Sequence, residues 1–437
     1  MIHDLPASGR AARSSASLLS GNAVVPRHGT ESLTGVTPHD LRAHRSAHGD
    51  RPSYAGRGDV LVADLETVRL TGRGGGHFPV AAKWRSVLAA GRAGRVVVNA
   101  AEGEPGSAKD AVLLQTRPHL VLDGLVSAME VVGATEGVVW LHAGADATAR
   151  SVRHALAERA AAGLGDPPVR VLLAPDRYLS GEATGIIRTL EGGPTLPRFV
   201  RDPARPWSDG HPPVLVQNAE TMARIGLVAL HGAAAYRPTS LVTVVNDTHR
   251  VVAEVGPELT VGDVVVALWT SPDGAAPSAV LLGGYGGSWV SWSAARTLRL
   301  DPDALREAGL SIGAGLIGPL PASACGLEES ARLVRYLADQ SARQCGPCVF
   351  GLAAIADLAL DLSAGRLTSA GRRRLRTFML EVNGRGACRH PDGALRMLAS
   401  ALAVFSADVE RHRRGRTCEA RRFAVLPLPG EVVDAHR

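Results

Sequence analysis

Lysine is almost missing from this chain: of 48 basic residues, all but Lys83 and Lys109 are arginine. The bias by itself is a coding preference, but a chain that otherwise uses Arg keeps Lys where a compact ammonium is needed in place of a planar fork. Both lysines lie beside glycine-rich or acidic turns. Aromatic residues are scarce, at 4%, and the arginines are scattered without an interleaved stacking ladder. A nucleic-acid partner is therefore not expected despite the net charge of +6. No stretch approaches the roughly 18–20 uninterrupted apolar residues of a membrane span. Val349–Leu362, for instance, is cut by Asp357 and Asp361. The opening Met1–Leu5 lacks a basic region followed by an apolar core, so no secretory signal is visible and the expected location is the cytoplasm. Five cysteines, an odd number, suit reduced thiols or metal ligands better than a disulfide framework. The 437 residues, 45% apolar and 21% charged, have the composition of a globular chain; that length predicts about two to four domains.

Residues 1–50, rich in Ala, Ser, Arg, His and Gly without sustained periodicity, read as a mobile leader. A short helical pattern (Val60, Leu61, Leu65, Val68) then leads into the glycine cluster Gly72–Gly76. Arg95–Val98 is an apolar run of the kind a buried parallel strand needs, and it stops at Asn99. A helix over about 119–133, a strand at 137–141, a helix over about 146–162 and a strand at 169–173 follow. Such alternation predicts a parallel α/β sheet with crossover helices. Ligands of such sheets bind at the carboxyl ends of the strands, which points to the segments after Val98 and Leu173. Val- and Thr-rich runs from Ser240 to about Val290, around a helical stretch at Thr260–Trp269, read as a small α+β module. Beyond Glu328 three amphipathic helical patterns predict a closing bundle.

Polar segments sit at the ends of these elements. Gly72-Arg73-Gly74-Gly75-Gly76-His77-Phe78-Pro79, followed by Lys83-Trp84, can converge backbone N–H groups and positive charge on an anion. It matches neither the dinucleotide fingerprint nor the Walker loop, and a flexible loop would read the same way. Asn99-Ala-Ala-Glu102-Gly-Glu104-Pro-Gly-Ser-Ala-Lys109-Asp110 begins where the valine strand ends; its amide and carboxylates suit a heteroaromatic edge or a ribose diol, or else a charged turn. Ser180-Gly181-Glu182 and Gln217-Asn218-Ala219-Glu220-Thr221 are two more polar segments beside apolar ones. Finally Cys345-Gly-Pro-Cys348, with Cys388 forty positions on, leaves a redox dithiol, part of a zinc site and part of an iron–sulfur site open.

In their order these segments resemble the flavin-bearing, NADH-oxidising F subunit of bacterial respiratory complex I and its relatives in NAD-linked hydrogenases and formate dehydrogenases. The similarity spans about residues 55–412. The resemblance implies a multidomain α/β protein: after the leader, an FMN-binding α/β domain over 51–236, a β-grasp domain of the soluble-ligand-binding type over 237–322, a helical iron–sulfur domain over 323–415 and a tail over 416–437. It assigns FMN contacts to Gly72, Arg73, Gly74, Gly75, Lys83, Asn99, Glu102, Gly181, Glu182, Asn218 and Thr221, and NADH contacts to Phe78 and Glu104. Cys345, Cys348 and Cys388 match three of the four cysteines of a [4Fe-4S] cluster. The implied function is an NADH dehydrogenase-like oxidoreductase, taking electrons from NADH or another reduced carrier through FMN to the cluster and on to a ferredoxin-like subunit.

The chain departs from the family pattern at several positions. Ala101 and Ala183 replace acidic residues, Val200 and Pro203 replace a Lys and a Phe that clasp the dinucleotide, and Ser86 replaces a pocket Phe. Aligning on Pro347-Cys348-x-x-Gly351 puts Ala342 at the first cluster cysteine, beside Ser341, so one ligand is missing unless Cys325 or His390 supplies it. Cys418, in the Arg-rich tail, is expected to be an ordinary thiol. Two other readings are a non-catalytic homologue serving as an assembly or ligand-binding subunit, and a zinc or dithiol regulator built on Cys345 and Cys348.

Overall fold

The computed structural model describes residues 2–6 (backbone only), 33, 37–200, 202, 205, 207, 210–246, 249–416, 418 and 424–430. Its strands are β1 (Ile2–Pro6), β2 (Arg95–Asn99), β3 (Glu136–His142), β4 (Val169–Ala174), β5 (Val214–Asn218), β6 (Ser240–Val245), β7 (His249–Val255), β8 (Ala279–Leu282), β9 (Ser288–Ser291) and β10 (Leu316–Leu320). Four of them form a parallel sheet in the order β4-β3-β2-β5. The valine run is accounted for here: Val96, Val97 and Val98 are fully buried between helices on both faces. The chain steps outward from β2 through β3 to β4 and then returns to pair β5 with the other side of β2. Strand order therefore reverses between β2 and β5, the position where open α/β sheets leave a crevice for ligands. Asn99 and Asn218, register partners at the carboxyl ends of these two strands, flank it.

A second, mixed sheet runs β1-β7-β6-β10-β8-β9, parallel only between β6 and β10. Helix Val261–Leu268 starts with a reciprocal cap. Thr260 Oγ1 accepts from the Asp263 N–H at 3.0 Å, and Asp263 accepts from the Thr260 N–H at 2.8 Å. Its Val261, Val264 and Val265 pack onto Val242, Val244, Ala253 and Ile317 of the sheet. Helices Gly326–Asp339, Ala353–Ser363, Ser369–Val382, His390–Val404 and Ser406–Arg413 gather around Leu333, Leu337, Ile355 and Leu398. They join the mixed sheet through Tyr285 and Trp289, whose backbone N–H reaches Ser400 Oγ at 2.9 Å.

Part of the leader reading needs correcting, although most of residues 1–32 lie outside the described residues. Leu41–His48 is a helix, capped by Asp40, which accepts from the Ala43 N–H at 2.7 Å. Its buried face is Leu41, His44 and His48, so the apolar periodicity that reveals other helices is missing. His44 Nε2 lies 2.8 Å from Asp123, which also takes Arg159 at 2.8 Å, and this buried polar contact holds the helix down where apolar area cannot. Ile2–Pro6 pairs antiparallel with β7.

Helix Pro118–Val132 opens on Pro118 and stops at Gly133, whose φ of 71° only glycine adopts readily. It crosses helix Ala219–Ala235 where two glycines meet: a methyl on Gly124 would strike the Met222 carbonyl, and one on Gly226 the Leu120 carbonyl. Gly124→Ala is therefore expected to destabilise the protein by about 1–3 kcal/mol through overpacking. A urea unfolding midpoint equal to that of the parent would contradict this crossing.

Candidate functional site

A cleft of about 1230 Å³ opens at the β2/β5 reversal and runs between the parallel sheet, the mixed sheet and the helices. It exceeds the roughly 300–1,000 Å³ that holds one small ligand. The glycine loop forms one wall. Gly74 sits so close to Asn218 that an added Cβ would lie 3.3 Å from the Asn218 Cβ, and Gly75 has a φ of 94°. His77 also takes a left-handed φ, 46°, and neither of its buried ring nitrogens has a partner. The amide nitrogen of Gln217, also on the wall, is buried without one too. Inside a cleft, such orphaned donors and acceptors suit a polar ligand or water.

Lys83 reaches into the same space from helix Val80–Ala89, where its Nζ donates to the Val216 carbonyl at 2.5 Å. Burial lowers its pKa to about 8, since no carboxylate offsets the lost hydration. An ammonium in this position favours an anionic or electron-rich group in the cleft.

Most residues singled out from the sequence meet at this cleft. Gly72, Gly74, Gly75, Phe78, Lys83, Asn99, Glu104, Gly181, Glu182, Asn218 and Thr221 all line it. Asn99 donates through Nδ2 to the Gly181 carbonyl at 2.7 Å, tying the end of β2 to the segment after β4. Glu182 caps helix Ala183–Leu190, accepting from the Gly185 N–H at 2.9 Å and from the Thr184 hydroxyl. Two residues differ from expectation. The Arg73 side chain is buried away from the cleft, with Nη2 on the Thr239 carbonyl at 3.3 Å, and only its backbone serves the loop, donating to Thr221 Oγ1 at 2.9 Å. Glu102 does not line the cleft either. Its carboxylate accepts from Ser107 Oγ at 2.5 Å and from the Asp110 and Ala111 N–H groups at 3.3 Å, the orphan donors that open helix Lys109–Thr116. Pro203 lies outside the described residues.

Glu104 is buried at the far side of the cleft, accepting from the Tyr285 N–H and the Tyr178 hydroxyl, each at 3.1 Å. Burial pushes its pKa up to about 7, against the two hydrogen bonds that favour the carboxylate. Tyr178 was not marked by the sequence, although it stands only two positions before Ser180-Gly181-Glu182. Its ring packs edge-on against Tyr336, at 6.1 Å between centroids.

Cys345, Cys348 and Cys388 come together on the helical side. Cys348 sits in a π-helical turn, Pro347–Leu352, led in by bonds from the Cys348 and Val349 N–H groups to the Cys345 carbonyl at 3.1 and 3.0 Å. Such turns recur at functional sites. Burial, then the neighbouring Cys345 and Cys388, push the Cys348 thiol up to about 12. Ser341 approaches Cys348, while Ala342 offers no donor atom. Neither proposed substitute joins them: His390 Nε2 bonds the Leu337 carbonyl at 2.7 Å, and Cys325 lies beside His412.

Comparison with known proteins agrees with this arrangement. A model of the Nuo51 FMN-binding domain matches residues 65–227, and a model of the NADH-ubiquinone oxidoreductase-F iron-sulfur binding region matches residues 328–412. The chain is 27% identical over 396 residues to the NADH-quinone oxidoreductase F subunit of Streptomyces coelicolor, covering 86% of this chain and 88% of that one. It is 25% identical over 399 residues to the NADP-reducing hydrogenase subunit HndC of Solidesulfovibrio fructosivorans, covering 84% and 80%. Its fold is shared with a chain of the NAD+-reducing [NiFe]-hydrogenase in the H2-reduced state, at a TM-score of 0.73 and 23% identity, over 87% of this chain and 67% of that one. The two model matches, both to regions of the same subunit, together span more than half of the sequence, and with the relatives above they show that this chain belongs to the family of the NADH-quinone oxidoreductase F subunits and their hydrogenase relatives.

Proposed function

We propose that this protein passes electrons from NADH or another reduced carrier through FMN to a [4Fe-4S]-type cluster and on to a ferredoxin-like subunit. The observation that carries the reading is the switch-point cleft with the Lys83 ammonium, unmatched by any carboxylate, on its wall. The residues present fit a flavin: a glycine wall in which a Cβ on Gly74 would crowd Asn218, orphaned polar atoms at His77 and Gln217, and a cation without a carboxylate. Gly72, Gly74, Gly75 and Lys83 would hold its phosphate and ring, with Asn99, Gly181, Glu182, Asn218 and Thr221 along its polar edge. Arg73 and Glu102 would act on the wall from behind, by holding the loop and the helix start in place. Phe78 and Glu104 would meet the nicotinamide nucleotide, and the size of the cleft leaves room for both molecules.

Three converging thiols fit a cluster held by three thiolates, with Cys345, Cys348 and Cys388 as ligands. When bound, the flavin accepts an electron pair and the cluster takes electrons singly. The chain's own residues would orient the donor, with Cys348 buried and Cys345 and Cys388 partly exposed. On this reading 51–236 is the flavin domain, 237–322 the β-grasp module, 323–415 the cluster domain and 416–437 a tail, and the protein works in the cytoplasm beside partner subunits. Among the described residues no helix is long and apolar enough to cross a membrane. One observation favours the second reading, a non-catalytic assembly or ligand-binding subunit: Ala342 leaves the cluster one ligand short.

Anaerobically purified protein is expected to show flavin bands with a broad cluster shoulder, and both should bleach on addition of NADH. Bands that resist NADH but respond to reduced ferredoxin would move the donor to a protein partner, and a colourless folded protein would support the non-catalytic reading. Lys83→Ala is expected to abolish flavin retention while leaving the fold intact by circular dichroism. Because Lys83 must be protonated to hold an anion and loses its proton near pH 8, flavin affinity should fall as pH rises through about 8, by up to about tenfold per pH unit. The flavin-free protein behaves oppositely: its buried ammonium costs stability below pH 8, and that cost is relieved between about 8 and the ordinary 10.5. Flavin affinity measured from pH 7 to 10 that stays flat would remove Lys83 from the anion site.

A further inference from the structure

We propose that Cys325, His412 and Cys418 form a second metal centre that binds one zinc ion, with Asp408 as its fourth ligand, independently of the redox site. Cys325 precedes helix Gly326–Asp339, and His412 lies on helix Ser406–Arg413 with no exposed surface. Cys418 follows that helix, so the reading of Cys418 as an ordinary thiol gives way to one with near neighbours. Cys325 Sγ is 3.7 Å from His412 Nε2, Cys418 Sγ is 3.1 Å from the same nitrogen, and all three donor atoms lie within 4.8 Å of one another. Zn–S bonds of about 2.3 Å and Zn–N bonds of about 2.0–2.1 Å at tetrahedral angles place S and N about 3.5 Å apart and two sulfurs about 3.8 Å apart. Asp408 Oδ1 stands 3.5 Å from Cys418 Sγ but outside the 4.8 Å group of the other three donors, and its side chain would turn toward them to serve as the fourth ligand.

His412 is prepared for this role. Its Nδ1–H donates to the Ser363 carbonyl at 2.7 Å, which leaves the Nε2 lone pair facing the sulfurs. That lone pair now accepts the Cys418 N–H at 3.2 Å, a contact a metal would replace. On binding, each thiol releases its proton to solvent, and two thiolates with a carboxylate leave the zinc complex one negative charge. Arg411 Nη1, 3.8 Å from Cys418 Sγ, offsets it. Sulfur and imidazole donors at this spacing favour zinc over magnesium or calcium. The bound ion would tie the chain beyond helix Ser406–Arg413 to the start of helix Gly326–Asp339.

The test is the metal content of the full-length protein purified without added metal, with zinc, iron and flavin measured together. One zinc per chain is expected, falling to background in Cys418→Ser and His412→Gln with flavin and iron unchanged. A strong chelator should lower the Tm of the parent protein but not of Cys418→Ser. X-ray absorption at the zinc edge of the parent protein, which needs no variant, should show two sulfur neighbours with one nitrogen and one oxygen. No zinc above background, zinc retained in Cys418→Ser, zinc lost in Cys345→Ser instead, or a Cys325–Cys418 disulfide in a non-reduced peptide map would each overturn the proposal.

Discussion

A buried carboxylate, Glu220, joins the two sheets of this protein. It is fully enclosed, and burial alone would raise its pKa, but Lys109, Arg224 and Arg73 hold it down at about 2. Lys109 lies 3.2 Å away, Arg224 makes two bonds to it at 2.8 and 3.0 Å, and the Leu241 N–H at the start of β6 donates to it at 3.0 Å. Lys109 in turn binds Asp110 at 2.8 Å, and Asp110 takes Asn218 at 2.6 Å. One connected set of charges thus positions the end of β5, the start of helix Lys109–Thr116 and the first strand of the mixed sheet. A buried charge left without its partners costs several kcal/mol, so these elements keep their relative placement together or not at all. The cleft wall at Asn218 inherits that rigidity.

The two lysines share the arginine-rich background and do different work. Lys109 is surrounded by carboxylates and is structural; Lys83 has none and faces the cleft. The sequence marked both by the same rarity, and only the neighbours brought by the fold separate them.

How much could be read in advance depended on which physical signal each element carries. Arg95–Asn99 was legible because a strand buried on both faces must be continuously apolar; the alternation pointed to the carboxyl ends of the strands, but not to β5 or to the reversal of strand order that opens the crevice. Helix Leu41–His48 was not legible, since His44, hydrogen-bonded to Asp123, and His48, against His231, replace its apolar face. Glu102 looked like a ligand because it follows a strand end, but a helix start also needs an acceptor, and the two demands look alike in one dimension. The Arg73 side chain could have pointed to either side of its loop. Cys325, His412 and Cys418 are separated by 87 residues on one side and 6 on the other, so no spacing motif announces them.

The cleft draws its wall from residues as far apart in the chain as Gly72 and Ala399. During synthesis its loop emerges early, its strand ends midway and its far wall last, so no chain ending short of Ala399 can offer the whole surface. Any molecule that needs the whole surface stabilises only chains that extend that far, by an amount that grows with the logarithm of its concentration. Occupancy of this cleft would thus favour chains that reach Ala399 over shorter ones.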